Sequence, residues 1–390
     1  MKQVSFSQYP SFRWSSVWRP VAIALLSLSL EGCGIFGGNK PDGDDATGDD
    51  SMANTGSSEF LVLCRDLGNS GAKAVPGKNG WLFDARELRE IARSSVLPAA
   101  TREEIIGCIV DYHEQLKNGG IDLILAPIPQ KAIIYSEHLG ARRSGRLDNY
   151  LQGLYQSLES KGVKVVDLVP TLLRERNGSG GLVYPVTANH LSPKGAEVVA
   201  GAIVENVKGR RWTKGLEADP NLVANSTQIT LLGNLAGYVT DESIRLQLKS
   251  EALPIRAIGR RSDTGILPAA RAGDGRILLV TSEREGLAYG APGNPVGYDG
   301  NIRGSLADQL IYEFGIPLDV HAHGSSGVNT ARFRLLRASW SKPDLLVNTA
   351  AIVWVFSANE LTTAGWRKVP LNLEMRQGDE GFRKSTNGSG

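Results

Sequence analysis

The residues of this 390-residue chain best suited to chemistry are a serine and a histidine far apart in sequence, Ser282 and His190. Ser282 follows the apolar run 277–280, Ile-Leu-Leu-Val, which reads as a buried parallel strand ending in the hydroxyls of Thr281 and Ser282. In open α/β sheets ligands sit outside the carboxyl ends of the strands, where a serine hydroxyl can serve as a nucleophile. His190 lies in Asn189-His190-Leu191-Ser192-Pro193-Lys194-Gly195, ahead of a segment with apolar Val199, Ile203 and Val207. That places it in a loop before a helix that Ser192 can cap and Pro193 can open. Such loops carry function more often than regular elements do, a structural histidine being the plain alternative. The chemistry on offer is acyl transfer by a serine whose proton a histidine removes. Asn301, in Asn-Ile-Arg-Gly behind a glycine-rich loop, is a candidate oxyanion-hole donor, with an ordinary turn residue as the equal alternative.

Positioning these groups requires a sheet, and the chain repeats a helix–glycine–strand rhythm. Residues 101–117 form an amphipathic helix with Ile105, Ile109, Tyr112 and Leu116 on one face and a capping-box pattern at Thr101 and Glu104. Gly119 and Gly120 end it before an apolar strand at 121–128; a second helix at 147–159 precedes a strand at 163–168. Helices at 306–314 and 332–339 and strands at 318–322, 345–347 and 351–356 continue the pattern. The expected fold class is α/β, a mostly parallel central sheet with helices on both faces. Residues 60–63 read as a short strand, and Trp81 and Phe83 as core residues behind an Asn-Gly turn. Residues 212–234 read as irregular, and 253–274 as a turn-rich segment wrapping the sheet.

Apolar content of 41% and charged content of 22% suit a folded protein with a sizeable core. A net charge of +2 with scattered basic residues gives no nucleic-acid footprint. Arg13 and Arg19 precede an apolar run at 21–30, too short to span a bilayer, so residues 1–32 read as a secretory signal. The junction Leu30-Glu31-Gly32-Cys33 resembles the lipobox of bacterial lipoproteins, which implies acylation of Cys33 and a lipid-anchored periplasmic protein. Gly34 after that cysteine favours the outer membrane within the same resemblance. Residues 33–57, rich in Gly, Asp and Asn, read as a flexible tether, and 371–390 as a polar, disordered tail. Cys64 and Cys108 are an even pair in an oxidising compartment, so a disulfide is expected. His321 and His323 alternate as on a strand with no third ligand at a recognised spacing, and no metal or cofactor is expected.

Beyond these local readings, residues 58–370 are similar to the SGNH-hydrolase-like domain of bacterial polysaccharide O-acetylation proteins, the alginate acetyltransferase group. The resemblance rests on Gly77-Lys-Asn-Gly-Trp-Leu-Phe83, Ala126-Pro-Ile-Pro-Gln-Lys-Ala-Ile-Ile-Tyr135, Asn189-His-Leu-Ser-Pro-Lys-Gly-Ala196, Ile277-Leu-Leu-Val-Thr-Ser282 and Trp354-Val-Phe-Ser-Ala-Asn-Glu-Leu361. It implies an SGNH-like fold, a covalent acetyl-serine at Ser282 and a general acid/base at His190. The implied partners are a polysaccharide chain and the other components of a secretion or acetylation complex.

Six positions depart from that pattern. The Asp that orients the histidine falls on Ala188, and the Trp after the histidine is Leu191. The glycine two residues before the serine is Val280, with Glu283 following the serine. The acid between Trp and Phe is Val355, and a Gly-Asp-Leu signature reads Gly233-Asn234-Leu235. A base works best when a third group fixes its tautomer, and Ala188 cannot do so; Asp167, Asp274 or Glu283 are the candidates for a substitute. The departures favour a catalytically degenerate scaffold or polymer-binding protein of exopolysaccharide biosynthesis. The alternative is a polysaccharide O-acetyltransferase or acetylesterase working through Ser282 and His190. Tyr289, Tyr298 and Trp366 are aromatics that either stack on sugars or belong to the core or a lid.

Overall fold

The computed structural model of the protein describes residues 48–94, 96–142, 146–263, 265–268, 275–289, 303–324, 327, 329–342 and 345–371. In chain order its elements are α1 (Gly48–Gly68), β1 (Ala74–Pro76), β2 (Leu82–Asp84), α2 (Ala85–Ser94), α3 (Ala99–Asn118) and β3 (Asp122–Ile128). Next come α4 (Lys131–Ile134), α5 (Ser136–Leu139), α6 (Asn149–Ser160), β4 (Lys164–Val165), α7 (Val169–Glu175) and α8 (Pro193–Val207). Then follow β5 (Leu222–Leu231), α9 (Glu242–Arg245), β6 (Glu251–Ser262), β7 (Gly265–Pro268), β8 (Ile277–Ser282) and α10 (Glu283–Gly286). The last are α11 (Leu306–Phe314), β9 (Asp319–His323), α12 (Thr330–Ser341) and β10 (Ala351–Ser357).

Strands β3, β8 and β10 are apolar in both phases of their pleat, which only a sheet covered on both faces can bury. They are the centre of a five-stranded, wholly parallel sheet of order β4-β3-β10-β8-β9. Ile124, Val353 and Leu279 enter one core, shared with α2, α8 and α11. Leu125, Trp354 and Val280 enter the other, under α3, α6 and α12. The expected α/β architecture is therefore present, with its helices on both faces.

Several local expectations are corrected. Residues 60–63 lie in α1, where Phe60 and Cys64, four apart, are buried and Val62 is 46% exposed. A run of four apolar residues suits helix and strand alike, and neighbouring turns decide. Helix α1 begins at Gly48, inside the stretch expected to be tether. Thr101 caps nothing: α3 starts at Ala99, behind Pro98, whose carbonyl accepts from Arg102 N. Residues 345–347 are turn rather than strand.

The larger correction is a second, three-stranded sheet, in addition to the two-stranded β1–β2 ribbon. β5 and β6 pair antiparallel along Leu222–Leu231, with β7 on the far side of β6. Pro254 and Gly259 inside β6 resemble turn residues in the sequence. Yet β7 covers only Gly259–Ser262, so Pro254 lies where β6 has β5 alone beside it and a missing N–H is tolerated.

The expected disulfide does not form. Cys64 and Cys108 are both free thiols. Cys64 on α1 is buried in the α2/α8 core and Cys108 on α3 in the opposite one, so the central sheet lies between them. A disulfide needs Cα atoms within about 7 Å. Cys33 lies outside the described residues. Among those described, no helix is long and apolar enough to cross a membrane.

Candidate active site at the carboxyl ends of the central strands

The loop carrying His190 leads into α8 as its chemistry requires. Ser192 Oγ accepts from Gly195 N at 2.9 Å, Pro193 opens the first turn, and Ser192 N donates to Val183 O at 3.0 Å. Gly195 permits that closure, since a Cβ there would stand 2.2 Å from Val183 O.

Further contacts from Lys131, Glu251, Gly233 and Asn234 hold the stretch around His190. Lys131, buried just past the end of β3, donates from Nζ to the carbonyls of Leu82 (2.9 Å), Val186 (2.7 Å) and Ala188 (3.0 Å). Its ammonium also lies 4.7 Å from the centre of the Trp81 ring. Burial pulls the Lys131 pKa down to about 7, with Glu251 and Glu87 pulling the other way. Glu251, from the second sheet, accepts from Val186 N at 3.1 Å and Thr187 N at 3.4 Å. Gly233 N donates to Thr187 Oγ1 at 2.7 Å, and a Cβ on Gly233 would lie 2.4 Å from the Thr187 carbonyl. Next to it, Asn234 Oδ1 accepts from Asn189 N at 3.3 Å and Asn234 Nδ2 donates to Asn189 Oδ1 at 3.0 Å. Asn189 Nδ2 in turn donates to Asp84 Oδ2 at 2.8 Å. At position 234, where the resemblance expects a carboxylate, the side chain is an amide that both accepts and donates.

His190 is 1% exposed. Its Nδ1 is 3.0 Å from Leu191 O and 3.3 Å from the hydroxyl of Tyr289, whose ring meets the imidazole edge to face. A carbonyl only accepts, so the Leu191 contact selects the Nδ1–H tautomer and places the basic lone pair on Nε2. Burial lowers the His190 pKa to about 4, the Leu191 hydrogen bond opposes this, and Arg284 and Lys131 lower it further. Ala188 is fully buried and contributes only its carbonyl, to Lys131. Asp167 is committed to Arg146 through a 2.8 Å contact to Nη2, among others. Asp274 and the Glu283 side chain lie outside the described residues, as do Asn301 and Tyr298.

Ser282 ends β8 half-buried, and its Oγ accepts from Glu285 N at 3.1 Å, capping α10. Val280 takes regular strand geometry between Trp354 and His321, so the glycine expected there is not needed for this turn. The segment after Ser282 runs onto the histidine: Tyr289 touches His190, and Arg284 acts on its charge. Tyr289 is 1% exposed and Trp366 3%, so neither presents a face for stacking. Tyr289 also has φ 69°, an unfavourable backbone for an aromatic residue, held by Gly304 N donating to its carbonyl at 3.0 Å.

Around Arg284 sits a buried acidic group. Its guanidinium lies 2.7 Å from Glu285 and 3.6 Å from Glu87. Burial raises Glu87 to about 8 against the pull of Arg284, and raises Glu360 to about 7 with Glu285 adding to it. A cavity of about 540 Å³ opens beside the loop, lined by the Asn189–Asn234 pair and Asp84 together with Lys73, Arg89 and Arg284. Lys131, Glu251, Arg284 and the role of Tyr289 went unread in the sequence. Only Lys131 leaves a local trace there, as a lone charge between a buried strand and an apolar run.

A parallel α/β sandwich with a serine at one strand end and a clamped histidine loop against the following segment defines an SGNH-hydrolase-like domain. Residues 74–268 match the family model described as SGNH hydrolase-like domain, acetyltransferase AlgX, and the chain belongs to that family. The match includes His190 and ends before Ser282. The probable alginate O-acetylase AlgJ of Pseudomonas putida is 30% identical over 189 residues, 48% of this chain and 45% of that protein. The Pseudomonas aeruginosa AlgJ is 32% identical over 127 residues, 32% of this chain and 31% of its own. The chain therefore spans less than half the length of these relatives. Among solved structures, the O-acetyltransferase domain of P. putida AlgJ superposes with a TM-score of 0.56 at 21% identity, covering 75% of this chain and 93% of that one. P. aeruginosa AlgX gives 0.50 at 15% identity, covering 75% and 63%. Both likenesses concern the fold.

Proposed function

We propose that this protein transfers acetyl groups to, or removes them from, hydroxyls of an exopolysaccharide, using Ser282 as acetyl carrier and His190 as general acid/base. The observation that carries the reading is the 3.0 Å contact of His190 Nδ1 with Leu191 O, which fixes the tautomer a serine base requires. Ser282 Oγ attacks the acetyl carbonyl and gives its proton to His190 Nε2, and the donor alcohol leaves with that proton. A sugar hydroxyl or water then repeats the sequence on the acetyl-serine. An imidazole with a pKa near 4 is in the neutral form this step needs at neutral pH, but it is a weak base, so turnover is expected to be slow. The cation-bearing cavity beside the loop supports an acceptor polymer with negative charge, such as alginate, handled with other components of a secretion or acetylation complex. Anchoring through an acylated Cys33, in the periplasm and at the outer membrane, belongs to the same proposal.

Ala188 favours a second reading, a scaffold that binds polymer without chemistry, because a methyl stands where the resemblance expects the acid that would support the imidazolium formed during catalysis. The two are separated by measuring acetyl transfer and ester hydrolysis by the full chain and by its Ser282→Ala variant, alongside polymer binding. Equal activity in both proteins would sink the catalytic reading; binding without turnover would support the scaffold.

A further inference from the structure

Where Tyr289 and Trp366 are buried, another ring in the cavity beside the His190 loop is open. Tyr238 ends the short turn Ala236–Tyr238 and is 49% exposed. Its neighbours Leu235, Ala236 and Val239 are buried in a small core with Ala74 and Leu82. The same stretch is tied to the loop: Leu235 N donates to Thr187 O at 3.0 Å, and Tyr238 N donates to Leu235 O at 3.0 Å. The ring is thus an exposed apolar surface on a fixed base, four residues from the Asn234 that clamps Asn189.

Lys73, the residue before Ala74, places its ammonium 5.6 Å from the centre of that ring. Its carbonyl accepts from Ala85 N at 3.1 Å, which ties it to the start of α2. The other cations lining the cavity are engaged: Arg284 with Glu285 and Glu87, Arg86 with Glu90 at 3.9 Å, and Arg89 with the carbonyl of Gly68. Among the described residues Lys73 forms no ion pair, so its charge is the one left for a ligand. Asn234 is exposed on the same wall and keeps a second amide hydrogen beyond the one it gives Asn189. An open ring, an exposed ammonium and an amide donor suit a pyranose that carries a carboxylate. The C–H face of the sugar covers the tyrosine, the carboxylate meets the ammonium and a hydroxyl takes the amide hydrogen. The cavity, about 540 Å³, has the size of a small-molecule pocket.

We propose that Tyr238 and Lys73 form a subsite for one hexuronate residue of the polymer. It deepens the reading of an acidic polymer as ligand, common to the catalytic and scaffold readings, and rests on it. Asn189 and Arg284 line the same cavity, one beside His190 and the other two residues past Ser282, so a chain held on Tyr238 runs alongside the site.

The test is isothermal titration of the full chain with an alginate hexasaccharide and, separately, with a neutral mannan hexasaccharide. The uronate oligomer is expected to bind at least about tenfold more tightly than the neutral one, and to weaken as salt rises. Tyr238→Ala and Lys73→Met are each expected to weaken uronate binding about tenfold. Tyr238→Phe and Lys73→Arg keep the ring and the charge, and are expected to stay within about threefold of the parent. Absence of binding by the parent, or equal binding of the two oligomers, overturns the acidic-polymer reading and the subsite with it. Uronate-selective binding that is unmoved in Tyr238→Ala or in Lys73→Met overturns the subsite alone, as does a Tyr238→Phe no better than Tyr238→Ala. The acetyl-serine stands or falls separately, on ester hydrolysis by Ser282→Ala.

Discussion

His190 Nδ1 and the carbonyl oxygen of Leu191 lie 3.0 Å apart, so the ring is oriented by the backbone of the next residue. A carbonyl fixes the tautomer but supplies no negative charge, and the buried ring keeps a pKa near 4.

That pKa sets an acid limit on stability. Unfolded, the imidazole takes a proton near pH 6.5, and folded only near 4, so the unfolded state binds more protons between the two. The contribution is fully present above about pH 6.5 and falls by about 3 kcal/mol on the way to pH 4. Glu87 works the other way. Neutral in the fold up to about 8 and ionised from about 4.3 when unfolded, it stabilises least at high pH. The two slopes oppose one another between about pH 4.5 and 6.5. Melting curves at pH 4.5, 6 and 8 are expected to show His190→Gln losing the acid slope. Glu87→Gln is expected to gain most over the parent at pH 8. A Glu87→Gln gain independent of pH would contradict this assignment.

Lys131 is the clamp whose loss is expected to cost most. Its three carbonyl acceptors are all met by one ammonium. Lys131→Met takes this donor from all three, Val186 O keeping Leu82 N as a second partner, and is expected to cost about 3–5 kcal/mol in urea unfolding. Lys131→Arg is expected to rescue little, because a planar fork does not fit three converging acceptors. A midpoint unchanged in Lys131→Met would remove Lys131 from the loop's support.

Gly233→Ala probes the loop from its other side. The added methyl would lie 2.4 Å from the Thr187 carbonyl and 2.6 Å from Ala188 N, so the 187–190 stretch has to shift. A loss of about 1–3 kcal/mol is expected, together with a fall in esterase rate larger than that in Gly237→Ala, whose Cβ would meet nothing within 4 Å. Equal rates in the two variants would show that the loop tolerates the displacement.

Cys64 and Cys108 are expected to be recovered as alkylated thiols when the protein is denatured with iodoacetamide and no reductant. Peptide mass spectrometry reads this directly, and a linked Cys64–Cys108 peptide would contradict the placement of the two residues on opposite faces of the sheet.

Much of the fold was legible in residue order. Doubly apolar strands such as Ile277–Ser282 announce a sheet covered on both faces, and Ser192-Pro193 announces the start of α8, because pleat and cap chemistry are local. The second sheet was not legible. β5 is largely exposed and polar, so its pairing with β6 leaves almost no periodic apolar signal.

For the site, the chain by itself determined that a serine ends a buried strand, that a histidine precedes a capped helix, and that the position two before it carries no carboxylate. Only the tertiary structure decided what surrounds them. Lys131, Glu251 and Asn234 converge on the loop from three separate segments, and Tyr289 turns inward onto His190. The cysteines divide between two cores for the same reason. Hydrogen-bond partners and faces of a sheet depend on which distant segments pack together, and neither spacing nor composition within one segment encodes that choice.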